Sequence, residues 1–459
     1  MLPSDLGAMG LLRISDDIDL VDETLREGSE RSSLSVGVDE KCELGAAIAA
    51  IGIRSLVVGM FPDVPHNIEL LQCLVQAQQR GDIDERVRFL VISHVGETFR
   101  ETMRVLDKLG EPLDNVWIVA IHGASDLQAR YVFPKILQKD RTVRWDASAW
   151  AAATPDERRD RSLEWLDRFL PEVSRYQGGG IMAGLIDTFR ADSDHVARMV
   201  GVVVGHGIRQ IRLVDTAGTC VPPQVAPWLG PLVTTYPEIA FYAHFHDDFG
   251  LSSANALVAL GCGARGVDVS VGGFANRAGH PALAEIAMAL RLLYGVELPE
   301  FAYHQLLELS RRVERLYGLL ERSTQPITGV ITHAVQSGIR TELVGEARWV
   351  FDVIDPESIG TSLTRSFGVR SGTDGLRRML APHSERMASA GVQLTSDTIS
   401  AVYERVIEQW EARSARVREE LMLVMDRYHE LLERASFTEE EVIECALAQV
   451  AAAPLTGSR

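Results

Sequence analysis

Between residues 18 and 298, short and nearly continuous apolar runs alternate with longer stretches in which apolar residues return every third or fourth position. Eight runs stand out: "IDLVDET" from Ile18, "SLVVGM" from Ser55, "RVRFLVIS" from Arg86, "NVWIVAIH" from Asn115, "GIMAGLID" from Gly180, "QIRLVDT" from Gln210, "AFYAHFH" from Ala240 and "GVDVSVGG" from Gly266. Strands that are apolar on both faces are parallel strands covered by helices. The intervals, such as "DEKCELGAAIAAIG" and "SDHVARMVGVVVGHG", read as amphipathic helices that stop at glycine. Eight strand–helix units predict an α/β fold, a (β/α)8 TIM barrel over 18–298. A doubly wound open sheet is the alternative, but no glycine-rich phosphate loop follows the first strand.

Residues 1–17 are left as an N-terminal extension and 299–375 as a mixed connector that opens with the helical "FAYHQLLELSRRVERLYGLL". Residues 376–459 read as a helical C-terminal domain, whose long segment 397–435 suits a small bundle or a dimerisation element.

Composition narrows the function classes. The 459 residues are 46% hydrophobic and 24% charged, ordinary globular usage, and the net charge of −18 argues against binding nucleic acid through its phosphates. No apolar run approaches the ~18 residues of a membrane span, and no basic, apolar leader opens the chain. The cysteines (Cys42, Cys73, Cys220, Cys262, Cys445) have no paired spacing and read as reduced thiols of a cytoplasmic protein.

Chemistry in such barrels gathers at the C-terminal ends of the strands. Those ends carry Arg26 and Glu27, His94, His122 with Ser125 and Asp126, Asp187 and Arg190, Asp215 and Thr216, then "HFHDDFG" and "GGFANRAGH". His244 and His246 are two apart on a strand, so both imidazoles share a face. Two imidazoles with a carboxylate, for which Glu27 on strand one is placed, make a divalent-metal site with positions open to substrate. "VDETLREGSE" is then a converging charge cluster or a solvated turn.

"DETLREG" together with "HFHDDFGLSSANALVALGCGARGVDVSVGGFANRAGHPALAE" resembles the DRE-TIM metallolyase superfamily, which includes isopropylmalate, homocitrate and citramalate synthases and hydroxymethylglutaryl-CoA lyases. The resemblance implies a divalent metal (Mn, Mg or Zn) on Glu27, His244 and His246. It implies that Arg26 holds the substrate oxygen on which charge develops, that Thr216 grips a 2-oxo acid carboxylate, and that His94 lies near the substrate. His280 stands where the family usually has Asn beside the metal and is a further ligand, a neighbour of the ligands, or a surface residue. Arg277 and Gly279 belong to the same loop. The partners implied are a 2-oxo acid and an acyl-CoA, with a homodimer completing the site.

Three departures bear on the activity. Met182 and Ile186 stand where homocitrate synthases place an arginine and a glutamate, which favours an apolar substituent on the oxo acid. "SGIR" puts Arg340 and, eleven residues on, Phe351 where condensing members have a histidine and a tyrosine; neither is a competent base, and His333 is a possible substitute. The strand-eight loop also lacks the cysteine of the lyases. The leading expectation is a metal-dependent condensation of acetyl-CoA with a 2-oxo acid. A carbon–carbon lyase or aldolase acting without CoA release, and a non-catalytic binding protein, are the alternatives.

Overall fold

The structure, a computed structural model, describes residues 13–31, 34–62, 64–140, 146–320, 323–335, 343, 347–365, 367 and 371–452. The chain divides into two compact units, one formed by 1–31, 36–333 and 352–362, the other by 32–35, 334–351 and 363–459.

In the first unit, β1 (Asp19–Asp22), β2 (Ser55–Met60), β3 (Arg88–His94), β4 (Val116–Gly123), β5 (Gly180–Ile186), β6 (Gln210–Asp215), β7 (Ala240–Phe245) and β8 (Gly266–Val269) close into a barrel in sequence order. All pairs are parallel, and β1 against β8 (Asp19↔Gly266 to Asp22↔Val269) makes the closure. The eight apolar runs are these eight strands: this is a TIM barrel.

Alternation along each strand sends side chains to two separate cores. Outward residues such as Leu56, Val58, Phe89, Val91, Phe241 and Phe245 pack under the helices. Inward residues, among them Val21, Val57, Leu90, Val119, Met182 and Tyr242, form a distinct apolar belt inside the barrel. Below the belt, Arg88 ion-pairs with Asp19, donates to Ser55 Oγ at 2.7 Å and Tyr242 Oη at 3.1 Å, and lies 4.7 Å from the Trp117 ring.

The cysteine reading needs correction. Cys42, in helix Val38–Ala50, and Cys73, in helix Pro65–Gln79, form a disulfide with Cα atoms 6.2 Å apart. The partners are 31 residues apart, and adjacency arises because the two helices lie side by side on the barrel. The pairing removes the cysteine argument for a reducing compartment. Among the described residues, no helix is long and apolar enough to cross a membrane.

In the second unit, two short parallel strands (Ala334–Val335 and Thr364–Arg365) accompany helices Gly372–Leu380, Ser384–Ser389, Ser396–Ala435 and Glu439–Ala452. Helix Gly372–Leu380 packs on the 40-residue helix near Ile399, which is buried. Most of that long helix is exposed, including Val417, Leu421, Val424 and Leu431.

Candidate metal centre

The charges of "VDETLREG" are folded inward. Beyond β1, Thr24 donates to Asp22 through both its N–H (2.9 Å) and its hydroxyl (3.1 Å), while its Oγ1 accepts from Val271 N–H at 2.9 Å. This ties the β1 end to the β8 loop. Arg26 and Glu27 N–H groups then turn back onto Glu23 O (3.1 and 2.8 Å), starting helix Glu27–Arg31. Asp22, Glu23, Thr24 and Glu27 are all buried, so the solvated-turn alternative falls. Arg26 is paired with Glu27 and lies 3.3 Å from Glu30.

On β7, His244 and His246 share a face as their spacing requires, with Nε2 atoms 3.3 Å apart. His280 comes from the loop after β8 and is buried. Its ring lies 4.4 Å from that of His244 and 4.6 Å from that of His246. One donor atom from each of Glu27, His244, His246 and His280 falls within 4.8 Å of all the others. The surface-residue alternative for His280 is therefore set aside.

Beneath these rings lies a buried polar relay that the sequence reading missed. Asp268 Oδ2 on β8 is 2.6 Å from His244 Nδ1, and Arg212 on β6 reaches Asp268 Oδ2 at 3.1 Å and Glu23 Oε1 at 2.9 Å. The signal was available: each is a lone charge at an inward position of an apolar run. Asp268 fixes the His244 tautomer, leaving Nε2 as the lone-pair donor.

The electrostatics suit a cation. Burial, and after it the neighbouring imidazoles, hold His244 and His280 well below the ordinary histidine range. Burial, followed by Arg277, lowers His246 to about 3. All three rings are neutral and can donate lone pairs. Burial also raises Glu23 to about 7 and Asp268 to about 6. Glu27 Oε2, His246 Nδ1 and both His280 nitrogens are buried without a hydrogen-bond partner. Buried polar atoms are normally satisfied. A divalent cation fits this donor set.

The centre opens into a cavity of about 230 Å³ lined by Arg26, His94, Ile186, Arg212, Val214 and Thr216, together with Glu27, His244 and His246. Thr216 Oγ1 is buried there without a partner. A larger hollow of about 510 Å³ lies at the other end of the barrel, but its arginines are consumed: Arg54 and Arg86 by Glu300, Arg88 by Asp19, Arg265 by Asp17. It is far from the imidazoles, and the smaller cavity is the one with chemistry.

Other expected residues fall elsewhere. Met182 is fully buried in the apolar belt and is not among the cavity's lining residues. His333 is also absent from that lining, its Nε2 hydrogen-bonded to Ile327 O at 2.8 Å. Phe351 is exposed, and Arg340 lies outside the described residues. His122 points out of the barrel, bonded to Ser162 Oγ (2.7 Å) and stacked on Trp165. Asp187 is held by Ser125 and Arg190, and Asp126 by Arg159. Arg277 pairs with Asp248 and donates to Thr216 O at 2.9 Å, which braces the cavity rim.

The profile of the HMGL-like family matches residues 17–313, a span that holds the whole barrel. The chain belongs to the HMGL-like family. Among curated relatives of this DRE-TIM member is the 2-isopropylmalate synthase of Methylococcus capsulatus, 26% identical over 403 residues, covering 85% of this chain and 70% of that protein. Methylthioalkylmalate synthase 2, chloroplastic, of Arabidopsis thaliana is 22% identical over 391 residues, covering 83% and 72% respectively. Hydroxymethylglutaryl-CoA lyase from Pseudomonas aeruginosa is similar in structure, with a TM-score of 0.49 and 18% identity over 67% of this chain and 95% of that one.

Proposed function

We propose that this protein condenses acetyl-CoA with a 2-oxo acid bearing an apolar substituent, using a divalent metal held by Glu27, His244 and His246. The observation that carries the reading is the buried carboxylate–imidazole cluster opening onto a cavity with a cation, a hydroxyl and an apolar wall. The family relationship to named 2-isopropylmalate and methylthioalkylmalate synthases gives it direction.

When bound, the metal supplies Lewis acidity that polarises the ketone. Thr216 offers its unpartnered hydroxyl to the oxo acid carboxylate, and Ile186 receives the apolar substituent. Arg26 stabilises the oxygen on which negative charge develops during carbon–carbon bond formation. His94, a lining imidazole outside the metal set, handles the proton lost from the acetyl methyl group. The enolate carbon attacks the ketone carbon, the alkoxide takes up a proton, and water cleaves the thioester. The products are a 2-hydroxy-2-carboxymethyl acid and CoA.

The same reading includes a homodimer. Val417, Leu421, Val424 and Leu431 are spaced four, three and seven residues apart on the exposed long helix, and Tyr428 divides the last interval into four and three, the pattern of a helix seam.

The test is release of free CoA thiol from metal-supplemented protein given acetyl-CoA and a panel of 2-oxo acids. Release with one apolar oxo acid, abolished by His244→Ala, is expected. No release with any pair, in protein that still binds metal, would overturn the condensation and favour carbon–carbon cleavage.

A further inference from the structure

His280 gives this cluster a donor set of unusual composition. Its ring is buried, both nitrogens lack a hydrogen-bond partner, and it is packed edge-on against the two β7 imidazoles. Leaving a buried polar group unsatisfied costs the full desolvation of that group. A ring placed there without a bound partner would be a standing penalty.

The loop that presents His280 is rigidly tied. Gly279 O accepts from Asp247 N–H at 2.9 Å, beside the β7 histidines, while His280 N–H donates to Gly273 O at 3.2 Å. Ser270 N–H, at the end of β8, donates to Pro281 O at 3.0 Å. Gly279 has φ +121°, and a Cβ there would lie 2.2 Å from Gly273 O. Only glycine permits this close turn, and it brings the His280 ring over the cluster.

The donor set is rich in nitrogen. His244 and His246 Nε2 atoms face each other at 3.3 Å, and His280 would bring a third imidazole to them. Imidazole ligands suit zinc and its borderline neighbours. Magnesium takes oxygen ligands in octahedral geometry and keeps several waters.

We infer that His280 is a third imidazole ligand and that it sets the centre's selectivity for a borderline transition ion of the Zn²⁺ or Co²⁺ type over Mg²⁺. The inference rests on the proposed function only in requiring that Glu27, His244 and His246 bind a divalent ion.

The experiment uses the full chain freed of metal with a chelator, then titrated with Co²⁺, Zn²⁺ and Mg²⁺. Binding is read by equilibrium dialysis and by the visible absorption of the Co²⁺ form. Wild type is expected to bind Co²⁺ with visible absorption bands, to lose them on adding Zn²⁺, and to keep them in large Mg²⁺ excess. His280→Asn and His280→Gln, each checked for native circular dichroism, should weaken Co²⁺ binding by about a hundredfold or more and fade the bands. That exceeds or reaches the top of the ~10–100-fold usual for losing a residue that merely braces a ligand. Unchanged Co²⁺ affinity and spectrum in the folded variants would overturn the inference while leaving the three-ligand site standing, as would wild type that takes Mg²⁺ as tightly as Zn²⁺. Wild type that binds none of the three ions would overturn both the inference and the metal reading beneath it.

Discussion

Arg212→Met tests whether the charges under the imidazoles act as one unit. The guanidinium lies 2.9 Å from Glu23 and 3.1 Å from Asp268, and its side chain is 3% exposed against 0% for both carboxylates. Burial outweighs the pull of Arg212 and of the more distant Arg26, raising Glu23 to about 7 and Asp268 to about 6. Methionine leaves Asp268 without its 3.1 Å partner and Glu23 with only Arg26, 3.9 Å away, a loss of about 3–5 kcal/mol for a broken buried pair. The carboxyls can escape by taking up protons. Because their folded-state pKa values lie above the unfolded ones, the penalty is smallest below the unfolded value near ~4 and grows as pH rises through 6 and 7. In urea denaturation of chelator-treated protein, the variant should lose about 3–5 kcal/mol at pH ~8 but only about 1–2 at pH ~5, where neutral carboxyls remain imperfectly bonded. Both contacts use the one nitrogen Nη1, so Arg212→Lys, which keeps the charge on a differently placed nitrogen, should lie between. A loss equal at both pH values, or below about 1 kcal/mol at pH ~8, would refute the idea that the guanidinium balances these carboxylates.

Asp22 offers an independent pH probe, since complete burial raises its carboxyl to about 7. Its contribution is full below the unfolded pKa and is lost as pH rises through 7, so Asp22→Asn should reduce the fall in melting temperature between pH 5 and 8 by about 2–4 °C in thermal scans. Ile186→Arg, at the cavity wall, should shift the kcat/KM ratio toward an oxo acid with a distal carboxylate by about tenfold or more, measured by thiol release with paired substrates. Replacing Leu421 and Val424 together with glutamate should halve the mass found by light scattering. An unchanged mass would remove the long helix from the dimer reading.

How much of this was legible depended on whether face or depth was needed. The barrel was readable because parallel strands covered on both sides are continuous apolar runs, and all eight were found. The His244–His246 pair was readable because spacing fixes face. His122 failed on the same logic: it follows Ile121, an inward residue, and so points outward into the helical shell. Met182 faces inward at the level of Val119, which does line the cavity, but its own side chain is fully buried in the apolar belt. Depth comes from strand register and barrel stagger, which no single run contains. Arg212 and Asp268 were overlooked because each looks like a stray charge until the barrel brings them to Glu23 of the charge cluster. The Cys42–Cys73 bond was illegible for a similar reason, being a product of helix packing.

The apolar belt across the barrel interior has an electrical meaning. Val21, Val57, Leu90, Val119 and Met182 separate the Arg88–Asp19 pair at the base from the Arg212–Asp268–His244 relay above. Such a layer offers no polar partner to water or to a migrating proton. The belt therefore divides the hollow at the base from the cavity on the imidazole side, and a proton exchanged at the cluster would come and go through that cavity. Charge below the belt is spent on holding the barrel shut. A lineage can rewrite the upper layer for a new substrate while the lower one goes on insulating the fold from the change.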